Sequence, residues 1–174
     1  MAVGSNTLWL EEKLNWIVLC IEPNPELEAH GRKLRRLWRQ VACGAQDMED
    51  QVFHAYGDFP HASYSSISCG AIPEGDKLTI KSQVAVRRLD RVLEEAGFSR
   101  LDLLCIDVEG YEKEVLAGFT IERWKPQVMV VETWQDNMAV PHHYASLGRR
   151  EVDNVFVRLG SRAAEMAKIE GVPA

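Results

Sequence analysis

The chain has 174 residues, 46% of them hydrophobic and 26% charged, which suits one folded domain with a real core and excludes a disordered segment. Twenty basic residues against 26 acidic give a formal charge of -6, which argues against a nucleic-acid footprint. The opening MAVGSNTLWLEEK lacks a basic segment followed by a long apolar run, so neither a signal peptide nor a membrane span is expected.

The elements follow in chain order. SNTLWLEEKLN starts with the capping candidates Ser5 and Asn6, and Leu10 and Leu14 share one face beside Trp9; a short amphipathic helix is predicted. WIVLCIE, ending at Glu22, is too short for a typical helix and reads as a buried strand. In PNPELEAHGRKLRRLW, Asn24 caps, Pro25 suits the first helical position and Glu26 favours the positive end of the helix dipole. Gly31 weakens the middle of that helix. Its basic run (Arg32, Lys33, Arg35, Arg36 and Arg39) reads as a solvated face.

QVACGA is a third strand candidate and QVFHAYG has some strand character. HASYSSISCGAIPEGD is rich in Ser, Gly and Pro and reads as loop or short hairpin. KLTIKSQVAVRRL suggests strands, and LDRVLEEAGF is a helix stopped by Gly97. LDLLCID is a buried strand, GYEKEVLAGF a short helix with Gly118 near its end, PQVMVVETW another strand and DNVFVRL the last. Residues 161–174 read as a weak helix or loose tail after a domain over residues 1–160, with no repeat or linker. Strands that are continuous apolar runs, alternating with helices, favour an α/β sheet, mostly parallel, with helices on both faces.

Cys20, Cys43, Cys69 and Cys105 form no CxxC pair, so no zinc site is expected, and the thiols read as reduced in a cytoplasmic protein. The chemistry lies in the carboxylates. IVLCIE, LLCID and VMVVE end in Glu22, Asp107 and Glu132, and open α/β sheets bind ligands at the carboxyl ends of their strands. Glu22 reads equally as an acceptor for ribose hydroxyls or as a partner of the helix that starts at Asn24. Asp107 and Glu109 read as an acid–base pair, a metal pair or caps of the helix near Gly110. His142 and His143 read as surface residues, with a general-base role as the alternative.

Three stretches together, SNTLWLEEKLNWIVLCIEPNPEL, VAVRRLDRVLEEAGFSRLDLLCIDVEGYEKEVLAGF and VDNVFVR, resemble the FkbM family of S-adenosylmethionine-dependent methyltransferases over residues 4 to 158. CIEPNP and IDVEGYE, in this order, carry the specificity. The resemblance implies a Rossmann-like class I methyltransferase sheet of seven strands, the last antiparallel, and methyl transfer from S-adenosyl-L-methionine to the hydroxyl of a small molecule or glycan. It implies cofactor contacts at Gly4, Ser5, Asn6, Glu22 and Asp107, and catalytic roles for Asp107 and Glu109. Ser65 and Ser66 match a serine pair that often precedes the strand leading to this motif.

Two departures stand out. Only Val3 and Gly4 match the glycine-rich turn that family members carry before SNT, so weak or absent cofactor binding is expected, rescued by about 20 to 40 upstream residues. Arg88 stands where the family often has Thr, removing a helix cap worth about 1 kcal/mol. Two other functions remain open: a non-catalytic domain that binds a ligand or partner, and a metal-dependent hydrolase, for which no HxH or HExxH pattern is present.

Overall fold

A computed structural model describes residues 7–56, 64–67, 78–133 and 138–168. Among the described residues, ten strands form three sheets. In the first, β1 (Leu19–Ile21) pairs parallel with β2 (Leu37–Arg39). In the second, β3 (Ala42–Cys43) is parallel to β6 (Leu78–Arg87), which pairs antiparallel with β4 (Met48–Tyr56), and β5 (Tyr64–Ser66) closes the edge. The third has the order β7-β8-β10-β9, from β7 (Leu103–Ile106), β8 (Val128–Glu132), β9 (Tyr144–Arg150) and β10 (Asp153–Arg158). There β7 and β8 run parallel, while β10 is antiparallel to both its neighbours. The last strand is antiparallel, as expected, but the described strands do not join into one mostly parallel sheet.

The third sheet holds the core. Its strands alternate rather than burying every residue: Leu104, Ile106, Met129 and Val131 are buried, while their neighbours in sequence are half-buried. The buried set packs with Leu89 and Leu93 of α3 (Leu89–Glu95), Val115 of α4 (Glu112–Ala117), Trp124 of α5 (Ile121–Trp124) and Phe156 of β10. This is the period-two pattern of a sheet with one well-covered face.

Three sequence expectations change. In α1 (Leu8–Leu14) the buried side chains are Leu8 and Glu11, while Trp9 and Leu14 are exposed. The helix is held by charge: Glu11 accepts the Arg36 N–H at 2.8 Å and pairs with Arg35 at 3.3 Å. The basic run is therefore not one solvated helix face. Pro25–Leu27 forms a 3-10 turn, α2 spans Glu28–Leu34, and extended backbone at Arg35 leads into β2. Arg35 is buried against Glu11, and Trp38 of β2 packs on Gly31, where a Cβ would sit 2.1 Å from the ring. Gly31 weakens the helix intrinsically, yet no larger residue fits there.

Gly118 ends α4 for a similar reason, since a Cβ there would lie 2.0 Å from the Gly44 carbonyl oxygen. Arg88 is the uncapped N-cap of α3, as expected. Its own N–H donates to Asp47 at 2.8 Å, and the N–H of Asp90 reaches the Gly118 carbonyl at 3.2 Å. In the C-terminal segment, Ser161 caps α6 (Arg162–Met166), whose Ala164 is buried. Gly4, Ser5, Asn6 and Cys69 lie outside the described residues.

Candidate active site

The register of the third sheet creates the site. Ile106 of β7 pairs with Val131 of β8, so the next residues, Asp107 and Glu132, emerge side by side at the carboxyl ends of parallel strands. Antiparallel β10 begins at that same edge, and Asp153 lies opposite Glu132. Asp153 was not singled out from the sequence; its signal would have been an acid opening the one strand that runs backwards.

Asp107, Glu109 and Glu132 each place a carboxylate oxygen within 4.8 Å of the others. The carboxyl groups of Asp107 and Glu132 lie close enough to affect each other's ionisation, and a hydrogen bond between two carboxyl groups requires that one be protonated. Asp107 keeps an exposed edge, but surrounding protein crowds its carboxyl and raises it above the usual range, with the Asp153 charge adding to the effect. Glu132 is pushed up to about 7, first by burial and then by the charges of Asp107 and Glu109. Like charges this close favour one shared proton.

Glu109 has a backbone φ of +51° and precedes Gly110 at +96°. A left-handed glutamate is uncommon and costs conformational energy. The turn sets Glu109 beside Asp107 instead of on α4. The N-cap of α4 is Tyr111, whose own side chain makes no cap hydrogen bond, and the Gly110 N–H donates to Glu112 at 2.8 Å.

Glu22 follows β1 and reaches the same edge from the two-stranded sheet. One of its oxygens accepts the Asn24 N–H at 2.8 Å, so the partner role is real but leaves the rest of the carboxylate free for a ligand. The helix cap itself is Asn24, whose Oδ1 accepts the Glu26 N–H at 3.0 Å. Burial raises the Glu22 carboxyl, and the nearby Asp107 charge raises it further, against the Asn24 hydrogen bond. Glu22 and Asp107 thus lie within electrostatic reach of each other, although β1 and β7 do not pair among the described residues.

Asn24 is almost wholly buried, at 1% exposure, and its Nδ2 has no hydrogen-bond partner among the described residues. A buried amide donor left unmade is costly. The acids suit a ligand that carries hydroxyls or a positive charge.

The histidines lie elsewhere. His142 and His143 are exposed, with ring centroids 3.8 Å apart, just before Tyr144, which pairs with Arg158 at the far end of β10. They are surface residues at the opposite edge from the acids. Ser65 and Ser66 lie on β5, opposite Ala55 and His54 of β4.

The shared proton makes stability depend on pH in a definite direction. An acid whose folded value exceeds its unfolded one, about 4.3 for Glu, costs stability increasingly as pH rises from that value to the folded one. With Glu132 at about 7, Glu132→Gln is expected to melt higher than wild type at pH 8 and equally near pH 4. Equal melting at both pH values would mean that the carboxylates are not crowded.

Residues 3–155 match the methyltransferase FkbM domain. The methyltransferase sdnD of Sordaria araneosa is 39% identical over 83 residues, which cover 42% of this chain and 32% of that relative. The chain thus spans about a third of the length of the curated relative it matches. No solved structure matches the chain significantly. Among the described residues, no helix is long and apolar enough to cross a membrane. With the family's domain spanning most of its length, this chain belongs to the FkbM methyltransferases.

Proposed function

We propose that the chain transfers a methyl group from S-adenosyl-L-methionine to a hydroxyl of a small molecule or glycan. The observation that carries this reading is the meeting of Glu22, Asp107 and Glu132 at one sheet edge within a methyltransferase-family domain. The order β7-β8-β10-β9, with β10 antiparallel and β1-β2 as a separate wing, supports a Rossmann-like class I sheet.

In this reading Glu22 accepts hydrogen bonds from the two ribose hydroxyls, and Asp107 faces the cationic end. When bound, S-adenosylmethionine supplies an activated methyl on a sulfonium. The protein then has two tasks. It aligns the acceptor oxygen with the methyl, and it takes the hydroxyl proton as the new C–O bond forms. Asp107 and Glu132 suit the second task because one of the pair is a carboxylate near neutral pH, and a bound cation favours the ionised form of both. Glu109 orients the acceptor from its strained turn.

The trio's spacing would also fit a divalent cation, and this alternative is separable. The test is a transfer assay with isotopically labelled methyl donor against a panel of polyols, phenols and glycans. Expected are labelled methyl ethers, formed at a rate that rises with pH through about 7 and is indifferent to a chelator. Label appearing only on nitrogen or sulfur acceptors would overturn the hydroxyl assignment, and loss of rate with chelator would assign the trio to a metal.

A further inference from the structure

The opposite end of the third sheet carries a cavity of about 270 Å³ to which the proposed methyl transfer gives no role. It lies where β7 and β8 begin and β10 ends, lined by Arg100, Asp102, Arg123, Lys125, Gln127 and Arg158. Arg158 is five residues beyond Asp153 on β10, about 17 Å along the strand from the acidic edge.

Four cations face one carboxylate there, and that carboxylate is engaged. Asp102 accepts a hydrogen bond from the Gln127 amide at 2.8 Å and pairs with Arg100 at 3.6 Å. Arg123 pairs with Glu94 and stands 4.8 Å from the centre of the Trp124 ring. Arg158 and Lys125 have no ion-pair partner among the described residues. Arg158 is half-buried, and its Nε is shut off from solvent with no hydrogen-bond partner. A partly desolvated guanidinium without an anion is an expensive arrangement. Lys125 ends α5 in the left-handed conformation, φ +46°, with its N–H fixed on the Ile121 carbonyl at 2.9 Å, so its position is held by the backbone.

We propose that this cleft binds the phosphate group of a small phosphate ester, with Arg158 as the forked donor and Lys125 as the second charge. A planar guanidinium matches two phosphate oxygens at once, and an ammonium neutralises the remaining charge. Gln127, at the same wall, offers a polar contact to the ester's hydroxyls. The site is separate from the Glu22–Asp107 edge and stands whether or not that edge methylates a hydroxyl.

The full chain would be titrated with inorganic phosphate by calorimetry at constant ionic strength, with chloride as the control anion. Expected is saturable binding of one phosphate, weakened at least ten-fold by Arg158→Gln and by Lys125→Ala, and unaltered by Glu22→Ala. Lys125 is exposed, so its variant keeps the test valid if Arg158→Gln disturbs β10. Absent or non-saturable binding, displacement by chloride at equal ionic strength, or undiminished affinity in Lys125→Ala would each overturn the proposal. Binding to phosphatidic acid vesicles without binding of free phosphate would also overturn it, since the partner would then be a lipid surface.

Discussion

Asp107→Asn is expected to slow methyl transfer by about 10²–10⁴-fold, the usual range for loss of a positioned acid–base group. Asparagine fills the same volume, and its amide can donate to Glu132, replacing the shared proton of the native pair. What it cannot do is accept the acceptor hydroxyl's proton. The loss should therefore fall on kcat, while melting temperature changes little. Glu109→Gln is expected to cost less, because the Asp107–Glu132 pair remains. A variant Asp107→Asn retaining more than a tenth of wild-type kcat would remove Asp107 from the chemistry and leave it a role in binding.

The largest expected loss of stability is at Asp90, far from that chemistry. Its carboxylate accepts the Thr120 N–H at 2.8 Å, the Thr120 hydroxyl at 2.6 Å and the Trp124 indole N–H at 2.7 Å, with Arg88 at 3.4 Å. One side chain thus ties the start of α3 to the start of α5 around Trp124, which is 2% exposed. Asp90→Ala strands a buried indole N–H and a backbone N–H, at about 1–3 kcal/mol each, for a total of about 2–6 kcal/mol. Asp90→Asn keeps one acceptor oxygen and should lose less. Burial works to raise the Asp90 carboxyl, but the hydrogen bonds from Thr120 and Trp124 outweigh it and hold the group below its ordinary value. Its stabilisation is therefore full above the unfolded value, about 3.9, and fades as pH falls through the lower folded one. Urea denaturation at pH 7 measures the gap; a loss under about 1 kcal/mol for Asp90→Ala would show that water satisfies these donors.

The sequence made the strand-end carboxylates legible because three apolar runs end in acid, and the parallel pairing of β7 with β8 sets Asp107 beside Glu132. The β8 and β10 strands, α3, α4 and the Asn24 cap were readable from the same local signals. Other features depend on distant residues. The β2 strand hid inside LRRLWR, whose charges suit a helix, because its pairing with β1 and the seat of Trp38 on Gly31 are tertiary facts. The buried face of α1 was misread because Glu11, a poor core residue by type, is buried by its bonds to Arg35 and Arg36. In β9, SLGRR has too few apolar residues for its period to show, and most of the strand is exposed. Asp153 needed the strand direction, which no single-strand pattern reports.

Structure also refines the expectation of weak or absent cofactor binding. Glu22 and Asp107 lie within electrostatic reach of each other, so two of the expected cofactor contacts come together in the described residues. The most direct test is a thermal melt with S-adenosylhomocysteine, comparing wild type with Glu22→Ala. A ligand at ten times its dissociation constant adds about 1.4 kcal/mol, a rise of roughly 3–5 °C for a chain of this size. That rise is expected in wild type at high ligand concentration, and none in Glu22→Ala. Equal shifts in both proteins, or a cooperative melt with no shift in wild type at millimolar ligand, would contradict it.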